Sequence, residues 1–123
     1  MSVDFLSDDQ VGSYGRYNGP PTRTPLERFF FLDDADRRLV AKRRGDANRL
    51  GFAVQIVTAR YVGVFLADPT DVPTEVVDYL AEQLGVVDPS CLKQYSRRET
   101  THREHAGEIQ HAYGLRDFST VDR

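Results

Sequence analysis

The chain has one cysteine, Cys91, one methionine and no tryptophan in 123 residues. A single thiol excludes an internal disulfide and a four-cysteine zinc site, and it fits a reducing cytoplasm. No apolar run approaches the roughly 18 residues of a membrane span. The opening MSVDFLSDDQ is acidic and lacks the basic and apolar regions of a signal peptide. Repeats and low-complexity segments are missing as well. With 40% hydrophobic and 28% charged residues, the chain reads as a soluble globular protein of one domain, or one domain and a small extension, with a single modest core.

What the chain does have is charge laid down unevenly. The formal net charge is −3, yet residues 37–60 hold seven basic residues against one acidic one, a local +6. Residues 1–36 carry −4 and residues 61–96 carry −5, so a basic face is flanked by acidic ones. A concentrated patch on an acidic protein points to an anionic partner at one face.

Helix punctuation places that patch. Ser7 and Gln10 form a capping box, with Leu6 and Val11 as its staple, and predict a helix from Asp8 to about Tyr14. Thr24 caps a second helix with Pro25 at its first position, presenting Leu26, Phe29, Phe30, Phe31 and Leu32. Asp33 caps a basic helix carrying Arg37, Arg38, Lys42, Arg43 and Arg44, with Leu32, Ala35, Leu39 and Val40 inward, which ends at Gly45. A further helix opens at Asp46 and runs to about Val62. Leu50, Ala53, Val54, Val57 and Tyr61 share one side, and Phe52, Ile56 and Ala59 an adjoining one. Only a narrow polar stripe remains, through Asn48, Gly51, Gln55 and Thr58, so this helix is predicted to be central. The β-branched run from Val54 to Phe65 follows i, i+3, i+4 spacing rather than strict alternation, which favours helix over strand. Pro73–Leu84 follows, with Val76, Val77, Leu80 and Leu84 inward and Gly85 as its stop. Asp88-Pro89 starts a short turn of helix, and a box of Ser96 with Glu99 opens Arg97–Tyr113, ended by Gly114. The expected fold is all-α, a compact bundle of about six or seven short helices containing a helix-turn-helix-like pair. Phe30, Leu39, Leu50, Val54, Val57 and Leu80 are its predicted core.

Two helices joined by a short glycine turn are a common device for reading double-stranded DNA, the second helix entering the major groove by its N-terminal residues. That end is Asp46, Ala47, Asn48 and Arg49, and Asn and Arg suit adenine and guanine edges. Arg37, Arg38, Lys42, Arg43 and Arg44 are the candidate phosphate contacts; the alternative is a solvated basic face with Asp46 as a plain cap. A second constellation, Arg97, Arg98, Thr100 and Arg103, sits at a predicted helix start, where a phosphate would offset cations set against the dipole. A simple exposed helix start accounts for the same residues.

Catalysis has little support. Asp8-Asp9 and Asp33-Asp34-Asp36 read as helix caps. His102 and His105, at i and i+3, share a face with Ala106, Ile109 and Tyr113 and read as half-buried packing, with no further ligand set for a metal. Cys91 reads as a small core residue. No cofactor or metal is expected.

The motif RRGDANRLGFAVQ at 43–55, with FFFLDDADRRLVAKRR before it, LADPTDVPTEVVDYLAEQLGV mid-chain and RRETTHREHAGEIQHAYGLRDF near the end, resembles the N-terminal region of Tn-three-family transposases. The likeness runs from about Phe5 to Phe118. It implies a module that binds the terminal inverted repeats of a transposon, with the metal-binding Asp-Asp-Glu chemistry in a far downstream RNase H-like domain. Arg43, Arg44, Asn48 and Arg49 in the first motif, and Arg97, Arg98 and Thr100 in the second, match. Residues 1–118 are expected to form the DNA-binding domain, with 119–123 opening a continuation that a cut chain or truncated reading frame leaves out. Such a fragment is not expected to be an enzyme. Its expected partners are double-stranded DNA and other regions of the transposase, with no membrane, and it would act in the bacterial cytoplasm at the nucleoid. The alternative is a helical interaction or assembly module of the transposase with only non-specific DNA contact, which suits the −5 of residues 61–96.

Overall fold

A helix that is apolar on most of its circumference is stable only when other elements wrap it, and the chain is organised by that requirement. In a computed structural model that describes residue 21 and residues 23–114, the segment Asp46–Val62 forms one 17-residue helix, named α3 below. Around it stand α1 (Arg23–Phe29), α2 (Asp34–Ala41), α4 (Thr74–Leu84), a 3-10 turn (Pro89–Cys91), α5 (Leu92–Ser96) and α6 (Glu99–Tyr113). Every one of these elements packs against α3. The described residues contain no strand, so the all-α bundle is borne out.

From Leu50 to Ala59 every residue of α3 is buried, including three of the four residues in the stripe expected to stay polar, while Asn48 is partly buried. Gly51, Gln55 and Thr58 face protein, not water. The reason lies at Gly51: a Cβ there would stand 2.3 Å from ring carbons of Tyr95. Its absence lets α5 lie directly on α3. Gln55, one turn on, donates its amide to the Tyr95 hydroxyl at 2.9 Å and to the His102 carbonyl at 2.8 Å. Tyr95 in turn meets His105 Nδ1 at 2.7 Å. The buried polar groups are thereby satisfied across three helices, which is what makes their burial tolerable.

A second polar knot ties α2 to the bundle. Asp33 caps α2 as expected, in a reciprocal box with Asp36. Asp36 does more than cap. It is fully buried, accepts two bonds from Arg60 at 2.9 Å each, and accepts the Tyr113 hydroxyl from the end of α6. Gln83 of α4 substitutes for a peptide group, accepting from Leu32 N at 2.8 Å and donating to Phe30 O at 2.9 Å.

Several expectations need correction. The helix predicted at 8–14 lies outside the described residues. α1 starts at Arg23, ahead of the expected cap at Thr24. α2 ends at Ala41, so Lys42, Arg43 and Arg44 lie in the connection, with Lys42 N and Arg43 N bonded to Leu39 O and Val40 O. Gly45, at φ 85, is the residue before α3 and supplies no side-chain cap. Ala35 is exposed and Leu39 only partly buried, because Asp36 takes the inward position on α2. Phe30, Leu50, Val54, Val57 and Leu80 are fully buried as expected. Ser96 does not box with Glu99. It is the last residue of α5 and its hydroxyl bonds back to Lys93 O at 2.9 Å, leaving Arg98 to precede α6. Glycines at φ 73 and φ 64 end α4 and α6 where expected, at Gly85 and Gly114.

Truncating Leu50 or Val57 to Ala should cost about 2–5 kcal/mol through reduced transfer energy and a cavity. Gly51→Ala adds one methyl where there is no room and should cost about 1–3 kcal/mol by overpacking. Urea unfolding of the variants tests both. A Gly51→Ala protein as stable as the parent would show that α5 does not lie against α3.

Candidate nucleic-acid interface

The order α2, four-residue connection, α3 brings the basic segment round to the start of the central helix. The eleven candidate residues then divide by what their side chains already touch. Arg43 turns inward. Its guanidinium forks Glu108 of α6 at 2.7 and 2.8 Å and lies 4.5 Å over the Phe52 ring, leaving the side chain 13% exposed. Arg37 is also engaged, donating to Leu32 O at 3.1 Å and Gln83 O at 3.2 Å. Both guanidinium groups are therefore committed to holding the fold. Asn48 donates its amide to Arg44 O at 3.0 Å, closing the turn ahead of α3, while its Oδ1 has no hydrogen-bond partner among the described residues. Arg49 pairs with Asp46 three residues earlier, and Arg103 with Glu99 four residues earlier at 2.8 Å. Such exposed pairs are worth little and can be exchanged for a stronger anion.

Arg38, Lys42, Arg44, Arg97, Arg98 and Thr100 remain, all of them exposed. None of their side chains has a hydrogen bond or ion pair with the described residues. Two of them meet. Arg44 from the α2–α3 connection and Arg98 from the α5–α6 turn line one cleft of about 230 Å³. Gly45 and the first turn of α3, from Asp46 to Asn48, line it as well, together with Cys91 and Gln94. The amides at the start of α3 have no side-chain cap, so the cleft joins two guanidinium groups to the positive end of a long helix dipole. Asp46 opposes this with one carboxylate, itself engaged by Arg49. Burial, with the Asp46 and Asp88 carboxylates nearby, pushes the Cys91 thiol above its ordinary range, so Cys91 stays protonated at neutral pH.

Both motifs are visible in the sequence, but their adjacency is not. Arg97 and Arg98, expected in the first turn of a helix, occupy the turn before α6. Gln94 lines the cleft with nothing in the sequence to mark it. His102 and His105 are packing groups as expected, their rings lying 5.8 and 5.5 Å from that of Tyr95. Among the described residues no group of three or more His, Cys, Asp or Glu side chains could hold a metal ion. No helix among them is long and apolar enough to cross a membrane.

The fold and this surface define a helical domain in which a two-helix unit presents the start of its second helix within a cationic cleft. The comparison with known proteins gives its family. Residues 5–123 match the family described as "Domain of unknown function (DUF4158)", and the chain belongs to it. It is similar to the transposase for transposon gamma-delta of Escherichia coli (strain K12), 44% identical over 118 residues, covering 96% of this chain and 12% of that protein. The transposase for transposon Tn501 of Pseudomonas aeruginosa is 38% identical over 85% of this chain and 11% of its own length. The transposase for transposon Tn1546 of Enterococcus faecium is 38% identical over 76% and 9%. The chain is an N-terminal region of the Tn-three transposase type, and it spans about a tenth of the length of these relatives.

The inward residues generate a pH prediction. Burial, the Arg43 charge and His102 together outweigh Glu108 and hold the His105 imidazole down at about 4, against an ordinary value near 6.5. The folded protein therefore keeps His105 neutral while the unfolded chain takes up a proton. Stability should fall as pH drops from 6.5 to 4, by up to about 3 kcal/mol. Urea unfolding across that window, with and without His105→Leu, measures it; a parent whose stability is flat there would contradict the assignment. At neutral pH, Arg43→Ala should destabilise by about 1–3 kcal/mol and Arg44→Ala by under about 0.5 kcal/mol.

Proposed function

We propose that this domain recognises the ends of a transposon, binding double-stranded DNA at the terminal inverted repeats. The observation that carries the reading is the meeting of Arg44 and Arg98, from two separate motifs, in one cleft at the uncapped start of α3. Neutralising phosphates with exposed arginines releases condensed counterions and supplies sequence-independent affinity. In this scheme Arg44 and Arg98 hold one backbone phosphate, and Arg38, Lys42 and Arg97 hold flanking ones, with Thr100 adding a hydroxyl. Arg49 exchanges Asp46 for a base edge as the N-terminal end of α3 enters the major groove, and Asn48 lies beside it. Arg37 and Arg43 serve the reading indirectly, by fixing the helices that present the others.

The unit is taken to span residues 1–118, with 119–123 beginning its continuation into a longer transposase. Strand cleavage and joining are assigned to the parts of such a protein that this chain does not span. The transposase names of the relatives support DNA as the partner, and the place of action proposed with it is the bacterial cytoplasm, at the nucleoid.

Neutralising Arg44 and Arg98 together should lower affinity on any duplex and flatten the salt dependence by roughly one unit for each phosphate that is no longer neutralised. Fluorescence anisotropy on repeat and random duplexes across a salt series measures both. Unchanged affinity and slope would make the cleft a solvated surface. On the same two duplexes, Arg49→Ala should cost about 1–3 kcal/mol on the repeat and much less on random DNA. A sequence-selective weakening at Arg97 and Arg98, with none at Arg49, would instead move base recognition to the α5–α6 turn.

A further inference from the structure

The 3-10 turn and α5 separate the cationic cleft from a second depression of opposite character. While Cys91 and Gln94 face the cleft, Pro89 and Leu92 join Val72 and Val77 in the apolar walls of a groove of about 350 Å³. Asp78 stands on one lip and Lys93 on the other. Beside the Asp78 lip runs a carboxylate row. Glu75, Asp78 and Glu82 are spaced i, i+3, i+7 along one face of α4, and Asp71 precedes them in the turn that leads into the helix. Among the described residues none of the four has an ion pair or a side-chain hydrogen bond. Like charges at this spacing destabilise a helix by a few tenths of a kcal/mol per pair. Val87, which precedes the 3-10 turn, is 95% exposed.

We propose that this groove is a docking site for an amphipathic, basic helix of a protein partner, with apolar side chains in the groove and Lys or Arg against the α4 row. Charge complementarity selects that occupant. Phosphate-bearing partners, whether nucleic acid or an anionic membrane, are repelled by four unpaired carboxylates. A second copy of this chain is a poor fit too. Among the described residues, the exposed large apolar residue other than Val87 is Phe31, which is followed closely by Asp33 and Asp34 and would bring like charge to the row. The helix-in-groove mode needs an apolar slot with charged flanks, and here both are present. This inference is independent of the DNA reading, since it uses the other side of the 3-10 turn and α5.

The test uses a synthetic helical peptide with leucines along one face and lysines flanking them, and a control of identical composition permuted to remove the apolar stripe. Anisotropy of the labelled peptide should show binding for the first and little for the control. Backbone amide shifts should centre on Val72, Val77 and Leu92. The double variant Glu75→Gln/Asp78→Asn should weaken binding by about five- to tenfold and reduce its salt dependence. It should melt no lower than the parent and bind duplex DNA as the parent does. Equal binding of the permuted peptide, shifts on another face, or parental affinity in the double variant would each overturn the proposal. Self-association of the chain that shifts the same amides would overturn it in favour of a second copy. Weakened DNA binding in the cleft variants leaves these outcomes unaffected, so failures of the two readings are distinguishable.

Discussion

The contact between Gly51 and the Tyr95 ring is the constraint on which the functional surface depends. It removes the one side chain that would hold α5 away from α3. Once Tyr95 is seated, its hydroxyl joins Gln55 and His105, and the turn that follows α5 is fixed relative to the start of α3. That turn carries Arg98, and the connection into α3 carries Arg44. A backbone approach in the core therefore sets the width of a cleft at the surface. The apolar groove depends on the same placement, because the 3-10 turn and α5 supply its second wall.

Charge in this chain does two jobs that composition cannot separate. Arg43 and Arg60 are used as organic cross-links: one between the α2–α3 connection and α6 through Glu108, the other between α3 and α2 through Asp36. Buried or half-buried pairs of this kind fix arrangement more than they add stability, since desolvation offsets much of the attraction. With both arginines engaged by carboxylates of other helices, Arg38, Lys42, Arg44, Arg97 and Arg98 remain for an outside partner, beside the exchangeable Arg49 and Arg103. The +6 of residues 37–60 thus overstates the surface charge available, and the turn before α6 restores part of it from a distant segment.

The bounds of α3 are legible in the sequence because its apolar spacing is dense and continuous, and the stops at Gly85 and Gly114 because positive φ favours glycine. The core residues follow from the same periodicity, except Leu39, displaced by the buried Asp36. Legibility ends where a side chain chooses between two partners that local sequence weighs equally. Ser96 suits a cap three residues before Glu99 and equally suits a bond back to Lys93 O, and packing of Tyr95 on Gly51 continues α5 through Ser96. Arg43 looks like any residue of a basic run. Its role requires Phe52 and Glu108, the latter 65 positions away. The candidate site is accordingly half legible: its residue types and two motifs are visible, while their placement on one cleft, the engagement of Arg37 by backbone carbonyls and the withdrawal of Arg43 are products of tertiary packing.

Cys91 offers the most direct measurement of the central claim that DNA occupies the Arg44–Arg98 cleft. It is the only cysteine in the chain and it lines that cleft. The alkylation rate of the native chain can be followed at mildly alkaline pH with and without a saturating terminal-repeat duplex, saturation being checked independently by anisotropy. The account predicts marked slowing in the complex, relieved when salt releases the DNA. An alkylation rate unchanged on a fully bound duplex would place the DNA elsewhere on the domain and contradict it.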